Sequence, residues 1–315
     1  GLASRSYLCA FILFMYYLLY GALYLIPLLP FFILYGISDF AAFIMYHVAR
    51  YRKDVVMNNL NIAFPEKTTA EKIRIAKRFY RNLTDTFIET IKLLSLSEKA
   101  FFKRAEMDLD ACNAIAAKGK NIQFHSGHQF SWEYGNWIIA KKLNIPWVGV
   151  YMKINNQALD KLFYDLRSKK GTILVAAQEF KTRMHKVFSM QYSLGLAADQ
   201  NPGVPQNSFW LNFFSKPAPF VTGPDKGAIK NDTAVVFVKF VKVKRGHYRF
   251  IPTIITEHGS SLKEGELTLL YRDFLEETIR EHPDNYLWSH RRWKWDYQPA
   301  YESKWIDKTP PLNQP

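Results

Sequence analysis

His128 and Glu133 stand five residues apart, just after the short apolar run Ile122–Phe124. A histidine and a carboxylate so spaced could serve as a base and its orienter. The imidazole would take a proton from a hydroxyl while the carboxylate fixes its tautomer and stabilises the imidazolium. If Phe124 ends a strand, His128 falls in the following loop and Glu133 early in the next helix. Ligands bind at that edge of an open α/β sheet. The alternative is a solvated loop histidine beside a helix-start glutamate that favours the helix dipole. The chain has eight histidines, so the spacing alone is not specific. His125 is a nearby rival, but its fifth neighbour is Phe130 rather than an acid.

Two further residues could join such a site. Asp199 ends the apolar run that begins at Ser193, and would also emerge where a strand stops; the alternative is a turn-forming aspartate before Asn201, Pro202 and Gly203. Arg167 lies beside Lys169 and Lys170 ahead of another apolar run. Its forked guanidinium suits a phosphate, or it belongs to a solvated basic turn. Signatures of serine hydrolases (Gly-x-Ser-x-Gly), zinc proteases (His-Glu-x-x-His), phosphate loops and dinucleotide loops are absent.

The elements that must position these residues alternate. Ile122–Phe124, Trp147–Tyr151, Thr172–Ala176 and Ser193–Ala198 read as strands. Ala70–Leu96, Asn156–Ser168, Gln178–Met190 and Leu267–Glu281 carry helical patterns. Val235–Val243 and Tyr248–Ile255 flank a turn at Lys244–His247 and read as a hairpin, which gives the sheet an antiparallel part. The fold class is therefore α/β, a mixed sheet flanked by helices. The tail Ile306–Pro315 has no core pattern and is expected to fray.

The chain has 315 residues, enough for a sizeable core, and a net charge of +14 from 42 basic and 28 acidic residues. Almost none of that charge is near the start. Residues 6–38 contain no acid, lysine or arginine. A basic, aromatic-rich body suits nucleic acid, an anionic membrane surface or phosphorylated substrates, and the apolar start decides for the membrane. Tyr7–Ile26 is long enough to span a bilayer, which takes about 20 residues. Pro27 and Pro30 interrupt it, and Phe31–Ile37 is expected to dip back or lie in the interface. Arg50, Arg52 and Lys53 follow and place the C-terminal side in the cytoplasm. A cleaved signal peptide fits poorly, because hydrophobicity continues past Gly21 and Ala22; a buried hairpin of a soluble core is the other alternative. The division expected is an anchor over 1–48 and a catalytic domain over 49–315. The two cysteines, Cys9 and Cys112, provide neither a disulfide framework nor a zinc cluster. His290–Trp295 interleaves bases and aromatics; beside a membrane anchor it suits headgroup or phosphate contact better than nucleotide stacking, with plain packing as the alternative.

Five segments, in order, resemble the lipid A biosynthesis acyltransferases of Gram-negative bacteria, the lauroyl and myristoyl transferases. They are Tyr51–Pro65, Gly127–Glu133, Ala198–Gln200, Phe220–Pro224 and Tyr286–Lys294. The resemblance runs from the apolar start to about Trp295 and implies a glycerol-phosphate-acyltransferase-like fold at the bacterial inner membrane. It implies transfer of a fatty acyl chain from acyl carrier protein to a lipid hydroxyl, with no metal and no cofactor. It makes His128 the base and Glu133 its partner, and gives functional roles to Asp199 and Arg167. An activated thioester needs no protein nucleophile, and the basic body suits acidic acyl carrier protein. One departure stands out: Phe130 and Ser131 occupy positions where the family often has Gly-Asn, which leaves other acceptors open, such as an aminolipid, a lysophospholipid or a polyene-type glycolipid. A noncatalytic membrane-anchored binding protein is the alternative of another class.

Overall fold

The computed structural model describes residues 21, 25–154, 157–180, 182 and 189–312. The expected membrane span Tyr7–Ile26 and the expected helix Gln178–Met190 lie mostly outside these residues. The helices before the sheet are α1 (Phe31–Phe43), continued as a π-helix over Ile44–Val48, then α2 (Lys53–Ala63), α3 (Thr69–Lys92) and α4 (Glu98–Phe102). Next come β1 (Ala105–Met107), α5 (Asp110–Ala117), β2 (Ile122–His125), α6 (Trp132–Lys142), β3 (Trp147–Tyr151), α7 (Gln157–Ser168), β4 (Ile173–Ala176) and β5 (Ser193–Leu196). The remainder is β6 (Phe209–Phe213), β7 (Lys216–Phe220), α8 (Gly223–Lys230), β8 (Ala234–Lys244), β9 (His247–Thr256) and α9 (Glu266–Glu281).

Seven strands form one sheet in the order β1-β9-β8-β2-β5-β3-β4, so the expected α/β class with an antiparallel part holds. Every neighbouring pair is parallel except β8–β9, the hairpin. Its turn runs through Gly246 at φ +72°, a conformation that costs glycine least. The short parallel strands β2 and β5 are bounded by loops rather than hairpins, because a parallel neighbour requires a crossover. The antiparallel ribbon β6–β7, a separate sheet, was not legible in the sequence. Lys216, Pro217 and Pro219 break any simple strand pattern in it.

Alternation along the strands sends side chains to two cores. Phe79, Phe130, Phe237, Leu275 and Trp288 fill one face, and Phe124, Tyr134, Trp137, Val236 and Phe250 the other. The helix α3 starts cleanly because Thr68 and Glu71 cap one another's backbone N–H groups. The helix α1 is docked on it by polar contacts. Tyr35 donates to Glu89 at 3.0 Å and Ser38 to Asp85 at 2.7 Å, while Asp39 pairs with Arg81 at 2.7 Å and Arg245 at 2.8 Å. On its other side Phe32, Ile37, Phe40 and Phe43 are exposed. By length and composition, Phe31–Val48 is one helix apolar enough to cross a membrane.

Two expectations about the C-terminal region are corrected. The tail does not fray through residue 312. Asp307 pairs with Arg272 at 2.8 Å, and Asn212 binds Pro310 O and the Leu312 N–H. The segment 290–295 is packing rather than a headgroup-facing stretch, since Arg292 and Trp293 are buried and only Arg291 and Lys294 are exposed. Burial of the neighbouring Trp288 and Trp293 draws the chain inward against Phe64 and Phe213.

Gly195, in the middle of β5, is required by packing. A Cβ there would lie 2.6 Å from the Trp147 ring, which crosses the strand. Gly195→Ala is expected to force Trp147 aside and to cost about 1–3 kcal/mol of stability. Thermal or urea unfolding checks this, and an unchanged melting temperature would show that the ring moves freely.

Candidate active site

Adjacent parallel strands bring the site together. The strands β2 and β5 pair with His125 opposite Leu196. His128 and Asp199 each lie three residues beyond those partners, so the two loops deliver them to the same place at the carboxyl edge of the sheet. There His128 Nδ1 lies 2.6 Å from Asp199 Oδ1, and the His128 backbone N–H donates to Asp199 Oδ2 at 2.9 Å. Asp199 is buried, and 28% of the His128 side chain remains exposed. A proton on Nδ1, held by the carboxylate, leaves the Nε2 lone pair free to act as a base.

Three other elements fix the two loops. From α9, the Tyr271 hydroxyl donates to Ser126 O at 2.7 Å and accepts the Ala198 N–H at 3.2 Å, so one side chain ties both loops. Gly127 is small because Leu275 stands 2.8 Å from where its Cβ would be. The segment 286–292 then crosses the His128 loop as a strap: the Leu287 N–H donates to His128 O at 3.1 Å. The strap is itself held by Asn59, which donates to Trp288 O and His290 O, and by Arg52, which donates to Ser289 O.

Glu133 does not orient His128, which corrects the expected pairing. Glu133 sits at the second position of α6 and turns towards α7, where Arg167 Nε and Nη2 both donate to its Oε1, at 2.8 and 2.6 Å. Trp137, one turn further along the same face, donates to Leu166 O. A five-residue spacing across a loop-to-helix junction therefore placed the two side chains in different contacts. The Arg167 fork expected to grip a phosphate neutralises a carboxylate that is only 1% exposed. The rival His125 is a core residue: its ring lies beside Phe237 and Tyr271, accepts from the Gln123 side-chain amide, and burial pushes its pKa down to about 3.

Electrostatics separate the two histidines further. Burial opposes charge on His128, but the Asp199 carboxylate and its hydrogen bond outweigh that and raise the ring above the usual histidine range. Burial likewise opposes charge on Asp199, yet His128 holds it below the usual carboxylate range. A cavity of about 300 Å³ opens beside this loop, lined by Met45, Leu83, Phe87, Trp132 and Leu287, with Arg52 and His290 on its polar side. A wider groove of about 1220 Å³ runs along the β1–β9 edge past Asp108 and Ile251, and contains none of the site residues. No cluster of metal-binding side chains occurs among the described residues.

The mostly parallel α/β sheet carries a histidine–carboxylate pair at its carboxyl edge, an arrangement able to take a proton from a hydroxyl. The chain belongs to the bacterial lipid A biosynthesis acyltransferase family, whose profile matches residues 4–295, and it is an acyltransferase. It is 22% identical over 280 residues to the lipid A biosynthesis lauroyltransferase of Escherichia coli (strain K12), covering 87% of this chain and 89% of that one. It is 21% identical over 245 residues to the lipid A biosynthesis palmitoleoyltransferase of the same strain, covering 77% and 79%. A lipid A biosynthesis acyltransferase of Shigella flexneri matches to the same extent.

Two outcomes follow from this geometry. With His128 as the base, kcat/KM falls as pH drops through an apparent pKa above 6.5, because a raised pKa keeps the ring protonated to higher pH. Asp199→Asn removes the carboxylate that raises it, so the limb moves down while the rate drops by about 10²–10⁴-fold. A pH–rate profile of both proteins checks the sign. The Glu133–Arg167 pair gives the second outcome. Arg167→Lys, which cannot place two nitrogens on one oxygen, should cost about 1–3 kcal/mol and slow transfer to phosphorylated and unphosphorylated acceptors alike. A loss confined to phosphorylated acceptors would return Arg167 to phosphate binding.

Proposed function

We propose that this enzyme moves a fatty acyl chain from acyl carrier protein onto a hydroxyl of a lipid A precursor, at the cytoplasmic face of the bacterial inner membrane. The observation that carries the reading is the His128–Asp199 pair with Nε2 left free. Among the described residues the His128 ring bonds Asp199 and no hydroxyl or thiol, which favours direct transfer over an acyl-enzyme.

In the reaction, His128 Nε2 takes the proton of the acceptor hydroxyl as its oxygen attacks the thioester carbonyl carbon. The C–S bond then breaks, and the leaving thiolate takes the proton back from the imidazolium. Asp199 keeps Nδ1 protonated throughout and stabilises the charged ring between the two steps. Neither metal nor cofactor enters this scheme.

The surroundings favour a lipid-borne acceptor. The cavity of about 300 Å³ places Leu83, Phe87 and Trp132 where an acyl chain would be shielded from water. The outward Phe32, Ile37, Phe40 and Phe43 of α1 suit insertion into the apolar layer while Asp39 stays paired with Arg81 and Arg245. The net charge of +14 suits both an acidic carrier protein and anionic headgroups. The names of the E. coli relatives point to lipid A as the acceptor.

Labelled acyl carrier protein incubated with purified enzyme and a panel of acceptors tests the reading. A lipid A precursor is expected to be acylated at least about tenfold faster than a lysophospholipid or an aminolipid, a difference of roughly 1.4 kcal/mol in transition-state binding. Equal or faster acylation of another lipid would replace the acceptor. Transfer from acyl coenzyme A at the same rate as from the carrier protein would remove the donor assignment.

A further inference from the structure

Arg167, the arginine expected to take a phosphate, is occupied by Glu133, but the cavity beside the His128 loop has a cation of its own. Arg52 shares the polar wall of that cavity with Ser289 and His290, opposite Leu83, Phe87 and Trp132. No acid lines it, and among the described residues no carboxylate pairs with Arg52. The guanidinium is exposed and is aimed by one hydrogen bond, from Nη1 to Ser289 O at 3.0 Å. Its other N–H groups are open to a ligand. His290 accepts the Asn201 N–H on Nε2, and burial pushes its pKa down to about 4, so it is neutral at neutral pH. Arg52 therefore supplies the charge on this wall.

The backbone that carries Arg52 points the same way. Arg50 and Arg52 both adopt left-handed conformations, at φ +48° and +49°, where glycine costs least. Strain of this kind persists only where the surroundings hold it, and it gathers at ligand sites. Here the Tyr80 hydroxyl donates to Tyr51 O at 2.6 Å, and the Tyr51 N–H donates to Met45 O at 2.9 Å. A glycine would relieve the turn but would leave the cavity wall without its cation. The turn also falls where the exposed apolar stretch that starts in α1 stops, at Val48. With that stretch in the apolar layer, Arg52 stands at the level of lipid headgroups.

We propose that Arg52 is a substrate-binding residue that grips a phosphate group on the polar wall of this cavity, while the attached chain lies along the apolar wall. A guanidinium gives phosphate oxygens short, charge-assisted N–H···O bonds, and no acid on the wall competes for it. Two substrates could bring the phosphate. One is a phosphorylated lipid acceptor; the other is the carrier protein, whose pantetheine arm is attached through a phosphodiester. The choice between these sources rests on the proposed function, whereas the phosphate site itself does not.

Binding is measured first without turnover, by calorimetric titration of the full chain with octyl phosphate and with octanol. The unaltered protein should bind octyl phosphate at least about tenfold more tightly, as a charge-assisted contact gives. Arg52→Gln should lose that preference and bind octanol unchanged. Lys103→Gln removes an exposed charge that is not on the cavity wall, and should keep the preference. Equal binding of the two probes by the unaltered protein would overturn the proposal, and that comparison stands even if Arg52→Gln does not fold. So would a preference lowered as much by Lys103→Gln, or octanol binding lost together with phosphate binding in Arg52→Gln, the mark of a residue that only holds the strap. Transfer assays then separate the sources. In Arg52→Gln, a KM raised about tenfold for a phosphorylated acceptor, but not for the same acceptor without phosphate, assigns the group to the acceptor. A KM raised for the acyl carrier protein, but not for acyl pantetheine lacking phosphate, assigns it to the donor. Both KM values unchanged would overturn the proposal. Absence of transfer by the unaltered protein would count against the proposed function and leave the binding result standing.

Discussion

The 2.6 Å contact between His128 and Asp199 depends on one constraint, the parallel register of β2 on β5. Two loops leaving neighbouring strands at equal depth have nowhere to go but against each other. Once they meet, both backbone and side chain of His128 bind the same carboxylate, so the ring can adopt few other orientations. Tyr271, Leu275 and the strap add to this by closing on loops already placed. The geometry of the site is thus inherited from the sheet, and Gly127 keeps space for Leu275 beside it.

Two carboxylates lie buried near the edge of the sheet, and each has a different kind of partner. Glu133 is paired with Arg167, a permanent cation. Asp199 is held by an imidazole whose charge can change, and only such a partner can carry a proton through a reaction. The identity of the cation, more than the position of the acid, separates the two roles.

The apolar helix α1 is bound to the body through polar groups as well as through the buried Leu34 and Ala42. Tyr35 and Ser38 reach the buried Glu89 and Asp85, and Asp39 pairs with the half-buried Arg245. The outward side chains are thereby left for an apolar environment. Met45, at the end of the same helical stretch, lines the cavity beside the catalytic loop.

Much of this was legible in the sequence. Strand runs such as Trp147–Tyr151, the hairpin at Gly246 and the long helix from Thr69 announce themselves through local periodicity and turn chemistry, which neighbouring residues determine. The same locality identified His128, Asp199, Glu133 and Arg167 as residues worth naming, since each follows or precedes an apolar run. What local pattern could not supply was who meets whom. Glu133 was nearer in sequence to His128, yet Asp199, 71 residues away, takes that place because strand order decides which loops are neighbours. The ribbon β6–β7, the docked tail around Asp307 and the burial of Arg292 were hidden for the same reason. A charged or proline-rich segment reads as surface until distant aromatic rings and carbonyls enclose it, and only the tertiary structure brings those together.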